Sequence, residues 1–364
     1  MAILRSLLAN NISLEVASSA SFIDVFKLFD ENYVLPSPEE FKGNIYRLAC
    51  IKTVEDNHSK QHANIMSILT LSEDSDRDKT FFAVSLVYTM DKKYIPVNTF
   101  YSNGAEEDLK AEIFGFIDQS VESVMNSYGT AIKYVIFDGK ISLPSYRELN
   151  GMKYFLISCM SVLPNILRND HPPFPAGYQY FNESKNYYDS IDSFEELINS
   201  RNCTLADAFD KVFSIAVACH EKLHVSILKP ILSYVSHAAF AANYFDPKYK
   251  GARFEKAAEL KVFMTRFLSK ALPLAAFDQF HEYQKNTGYF LYLKQDENSF
   301  AGDWREFWSC AKLHYQELGN FVLNLLEIPP VAKKIDLQKL KKIHHSLDPN
   351  DTDAEKAYKY SLVI

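Results

Sequence analysis

Lys133-Tyr-Val-Ile-Phe-Asp138 decides how the chain is read. Tyr134 to Phe137 is an unbroken apolar run of strand-forming types, and the turn pair Asp138-Gly139 follows at once. A short apolar run bounded by a turn signal suits a strand buried on both faces. A carboxylate at the C-terminal end of such a strand stands at the rim of a sheet, where α/β folds place their chemistry. Asp138 is therefore the first candidate catalytic residue.

Working outward, Ile65–Leu71, Thr80–Thr89 and Tyr94–Tyr101 read as three antiparallel strands, separated by the polar turns Ser72–Asp78 and Met90–Lys93. Leu109–Tyr128 is amphipathic, with Leu109, Ile113, Phe116, Ile117, Val121 and Val124 on one side, and acidic residues precede it. The strand at 131–137 follows, then a turn region with Pro144, another strand at Tyr154–Cys159 and a short helix at Met160–Asp170. Three strands, a helix, two strands and a helix predict a mixed α/β sheet of ribonuclease-H-like pattern.

Beyond the break at His171-Pro-Pro-Phe-Pro175, residues 176–188 read as an aromatic and polar loop. The periodicity then stays helical to about Gln295, over Phe194–Ile198, Ala206–Pro230, Ile231–Asn243 and Phe254–Phe277. One further helix is expected at 302–327, ended by Pro329-Pro330, and a short basic one at Leu337–His345. The expected division is an N-terminal helical entry segment at 1–64, a sheet core at 65–170 and a large all-helical insertion at 171–300. C-terminal helices at 301–345 complete the core, and 346–364 is a tail.

The 364 residues carry a net charge of −7, which opposes a surface built mainly to neutralise phosphates. The five cysteines are widely spaced and form no Cys-x-x-Cys, as expected of reduced thiols inside a cell. No run reaches the roughly 18 apolar residues of a membrane span. No signal peptide is read at the N-terminus, so a nuclear or cytoplasmic protein without membrane partners is expected.

His220-Glu-Lys-Leu-His224 matches HExxH, in which two histidines one helical turn apart bind zinc and the glutamate serves as base. The extended metzincin pattern fails at Ile227 and Pro230, and His237 and Glu255 remain as conceivable third ligands. Two histidines on a helix surface are the simpler reading. Lys339, Lys341 and Lys342 form a small basic cluster able to touch phosphates, although a solvated helix face is the default.

Several stretches together resemble the hAT superfamily of DNA transposases and their host-domesticated relatives. These are Leu7–Phe41, Ala206-Asp-Ala-Phe209, Asn243-Tyr-Phe-Asp-Pro-Lys-Tyr-Lys-Gly251 and Trp304–Pro330. The resemblance implies a ribonuclease-H-like domain interrupted by a helical insertion, in which three carboxylates hold two divalent metals. It also implies a homodimer or homo-oligomer with Trp304, Trp308, Tyr315, Leu318, Phe321 and Leu325 at the seam, and DNA or chromatin proteins as partners.

The carboxylate set is incomplete on this sequence. Asp138 matches the second position, but the first falls on Ser72, beside Glu73 and Asp74. The third falls on Lys334 in one register and on Asp336 in the other. The Cys-x-x-His of the family becomes Cys159-Met-Ser-Val162. The chain opens at the family's entry helix, so the zinc finger's DNA recognition is not carried over. The expectation is a dimerising interaction protein acting on chromatin or DNA, with Asp138 as a relic and no resident metal or cofactor. An active nuclease would use Mg²⁺ or Mn²⁺ on Asp138, Glu73 or Asp74, and Asp336. A zinc peptidase would use His220, Glu221 and His224.

Overall fold

The computed structural model describes residues 16, 19–28, 37, 40, 65–75, 81–89, 94–102, 106–137, 146–170, 181–200, 202–223, 234–256, 258–295, 300 and 303–332. The fold is α/β, mostly helical, with six strands in one mixed sheet. Two compact units are present, one formed by Met1–Ile132 with Lys333–Ile364 and the other by Lys133–Ala332.

In the first unit, after helix α1 (Ala20–Lys27), strands β1 (Ile65–Ser75), β2 (Phe81–Thr89) and β3 (Tyr94–Ser102) form an antiparallel meander. β1 runs four residues further than the expected Leu71. Its pairing continues through Ser72↔Val84 and Glu73↔Ala83 to Ser75↔Phe81, so backbone hydrogen bonding carries polar residues into the strand. Helix α2 (Glu106–Tyr128) follows. Its apolar stripe is the expected one: Ile113, Phe116, Ile117, Val121 and Val124 are buried, and Phe116 stacks on Phe100 of β3 at 5.3 Å.

The second unit begins with β4 (Tyr134–Phe137), buried at all four positions as its sequence predicts. β4 pairs in parallel with β6 (Met152–Ser158), and β6 pairs antiparallel with β5 (Tyr146–Leu149). The sheet therefore has six strands where five are expected. The additional strand comes from Asn150-Gly151, both at positive φ, which close a tight hairpin between β5 and β6. A short segment of mixed pitch follows, with a 3-10 turn (Met160–Val162), one α turn α3 (Leu163–Asn165) and a π turn (Ile166–Asp170).

The helical region holds α4 (Phe181–Asn199), α5 (Leu205–Leu223), α6 (His237–Phe245), α7 (Ala252–Lys256), α8 (Ala258–Ala271), α9 (Phe277–Lys285) and α10 (Tyr289–Gln295). The expected loop at 176–188 is corrected from Phe181 onward, where α4 begins. Tyr187 is buried and donates its hydroxyl to the Leu167 carbonyl, so that ring is helix core.

The single helix expected at 302–327 is two, α11 (Trp304–Lys312) and α12 (Gln316–Leu326). Gly319 permits the fold-back, because a Cβ there would stand 2.7 Å from the Lys312 backbone. The core of this region is aromatic. Trp308 is 0% exposed, donates Nε1–H to the Phe245 carbonyl at 2.9 Å, and packs against Phe245, Tyr283, Phe290 and Phe307. Among the described residues no helix is long and apolar enough to cross a membrane.

Candidate functional site

The residues expected to carry chemistry divide sharply. Asp138 follows the last residue of β4 but lies outside the described residues, as do His224, Lys334, Asp336, Lys339, Lys341 and Lys342. Glu73 and Asp74 are consecutive in β1 and pair with Ala83 and Phe82 of β2. His220 and Glu221 belong to the last turn of α5. Glu255 in α7 is exposed. Among the described residues no three His, Cys, Asp or Glu side chains converge on a metal position.

The six residues that the resemblance places at a dimer seam lie within the chain's own aromatic core. Trp304, Trp308, Tyr315, Leu318, Phe321 and Leu325 are all buried by their own chain. The reason is amphipathic: α11 and α12 turn their apolar faces onto the helical core, and Tyr315 stacks flat on Phe290 at 4.4 Å. Its hydroxyl donates to Glu282 and accepts from the Tyr289 amide.

The two stretches behind the resemblance in the helical region are bonded to each other. Thr204 caps α5. Its hydroxyl accepts from the Asp207 amide, and Asp207 Oδ2 accepts from the Thr204 amide at 3.1 Å and the Thr204 hydroxyl at 2.9 Å. Asp207 Oδ1 accepts from Lys248 Nζ at 2.8 Å and the Tyr249 hydroxyl at 2.5 Å. Buried Asn243 donates to the Ala206 carbonyl. One helical turn along α5, Asp210 accepts from Nε and Nη2 of Arg253, which also donates to the Ser214 hydroxyl and lies over Phe213.

This is a staple, with every cation in it matched to a carboxylate. Burial disfavours the Asp207 charge, but the bonds from Lys248, Tyr249 and Thr204 outweigh it and hold the carboxyl below its usual range. Asp246, 2% exposed, is pushed up to about 6 by burial, despite accepting from the Lys248 amide, and the Asp207 charge adds to the rise. The Cys203 thiol is pushed up to about 12, by burial first and the Asp207 charge second, which disfavours its thiolate.

The second polar concentration is a cavity of about 590 Å³ at the C-terminal ends of β4 and β6, the rim where the sequence places chemistry. Phe137, Phe155 and Phe267 form an apolar wall, and His237, Arg266 and Lys270 face the space. His237 is the first residue of α6, and Arg266 and Lys270 share a face of α8 four residues apart. Burial, then the charges of Arg266 and Lys270, pull the His237 imidazole below its ordinary range. The same two charges repel a metal ion, which argues against His237 as a zinc ligand.

Arg266 and Lys270 carry no sequence signal of a site, because two cations four apart are ordinary for a solvated helix. No Asp or Glu lies within four residues of either along the sequence, and the carboxylate of α8 is Glu259 in its first turn.

No protein-family model matches the chain, and no curated protein sequence matches it.

Proposed function

We propose that the chain is a transposase-derived, ribonuclease-H-like scaffold that no longer cleaves nucleic acid and serves as an interaction protein. One observation carries the reading. An antiparallel meander and a parallel strand pair, with one helix between them in the chain, belong to one mixed sheet, and a helical region follows whose two resemblance stretches are stapled through Asp207. The stretches thereby gain a physical reason to occur together. The loss of cleavage rests on the sequence, with Ser72 at the first carboxylate position of the resembled family and, in one of two registers, Lys334 at the third, where the other register places Asp336. Two-metal chemistry needs three carboxylates that hold both ions.

Calorimetry with Mn²⁺ and Zn²⁺ on the whole chain tests this, with Asp138→Ala and His220→Ala alongside. The reading expects no stoichiometric binding of either ion. Mn²⁺ binding that disappears in Asp138→Ala would restore a nuclease and put Asp336 in place of Lys334. Zn²⁺ binding that disappears in His220→Ala would make the chain a metallopeptidase candidate.

A further inference from the structure

The geometry points to a binding site for a small phosphomonoester that carries a ring, a molecule of mononucleotide size, in the cavity at the ends of β4 and β6. The inference stands on the cavity alone and is independent of the ancestry proposed above.

The cations are the first argument. Arg266 and Lys270 make no ion pair with a carboxylate among the described residues, in contrast to Arg253, Lys248, Arg305 and Arg168. Lys270 Nζ lies 4.7 Å from the centre of the Tyr146 ring, and Lys153 Nζ lies 5.1 Å from the centre of the same ring, so two ammonium groups share one aromatic partner. Glu148 stands opposite Lys153 in the β5–β6 pairing and is the carboxylate of that strand edge. Like charges four apart on a helix weaken it, so the repulsion between this pair does not favour folding. An anion in the cavity would reverse the sign of that interaction. The N-terminus of α6, nine residues long, adds its partial positive charge from the His237 side.

The walls are the second argument. Phe155 and Phe267 meet edge to face at 5.3 Å, so the apolar wall is already formed. Tyr234, 44% exposed, lines the cavity with its ring available to a ligand. A ring against this surface and a phosphate at Arg266 and Lys270 use both halves of the cavity, as small-molecule sites do. Size and charge select a small ligand over a polyanion. The cavity falls within the roughly 300–1,000 Å³ of such sites, and the chain's net charge of −7 opposes a long phosphate backbone.

The test is calorimetric titration of the whole chain with adenosine monophosphate, then with adenosine and with a long oligothymidylate. Saturable binding of the monophosphate is expected, weakened about tenfold or more in the double variant Arg266→Gln/Lys270→Gln. Adenosine should bind at least about tenfold more weakly than its monophosphate, and sulfate should compete with the monophosphate on the unaltered chain. Tyr234→Ala should weaken both adenosine compounds. The proposal is overturned if the monophosphate fails to saturate by about 10 mM, if the double variant binds it unchanged, if sulfate does not compete, or if only the oligothymidylate binds.

Discussion

The Asp207 staple and the rim cavity use the same kinds of side chain to opposite ends. In the staple, Lys248, Tyr249 and Thr204 donate to one carboxylate, and Arg253 donates to Asp210 and to the Ser214 hydroxyl. In the cavity, Arg266, Lys270 and His237 face a common space without a carboxylate among the described lining residues. A charge matched inside the chain stabilises the fold, whereas one left unmatched at a concave surface is available to a ligand. Counting basic residues cannot separate the two, because the distinction lies in what faces them.

Substitutions can break this contrast, beginning with the closed side. Trp308→Ala should cost about 4 kcal/mol in denaturant unfolding, through the cavity it leaves and the unpaired Phe245 carbonyl. A loss under about 1 kcal/mol would show that the aromatic core is not the closed body described.

Asp207→Ala should cost about 2–3 kcal/mol, because the Tyr249 hydroxyl and the Thr204 amide lose their acceptor. An unchanged unfolding midpoint would reduce the staple to a surface feature.

Asp246 gives a pH signature. Its carboxyl titrates near 6 in the fold against 3.8 ordinarily, so the folded state binds the extra proton between those values. Its contribution is complete below the ordinary value and is lost as pH rises through about 6. Asp246→Asn should therefore be more stable than the unaltered chain above that pH, by about 3 kcal/mol, with the difference vanishing in acid. A constant difference across the range would refute the assignment. Asp207 has the opposite sign, and its contribution is lost as pH falls through its lowered value.

The smallest effect belongs to the open side. Arg266→Gln/Lys270→Gln should leave the melting midpoint within about 2 °C of the unaltered chain.

The sheet was legible where local signals agreed. The Tyr134–Phe137 run and the α2 stripe both appear as their periods predict. Asn150-Gly151 was a sufficient hairpin signal for β5, but Pro144 drew the reading of that stretch toward a loop. The start of α4 was hidden because Asn182 to Ser190 is polar with scattered tyrosines, and its burial comes from partners distant in sequence. The division between α11 and α12 has no proline to mark it. Gly319 was its only local trace, and that glycine matters through a contact seven residues away. Trp304 and Trp308 were correctly placed on one helix face, yet the pattern does not say whether the same chain covers that face. The cavity cations were least legible, because Arg266 and Lys270 meet His237 and the strand ends only in three dimensions.

The most direct test is a crossed one: adenosine monophosphate titrated into Asp207→Ala and into Arg266→Gln/Lys270→Gln, each where it is shown to be folded. Binding retained by the less stable Asp207 variant and lost by the stable double variant is the predicted result. Binding lost with Asp207→Ala and retained by the double variant would contradict the division of the molecule into a closed staple and an open site.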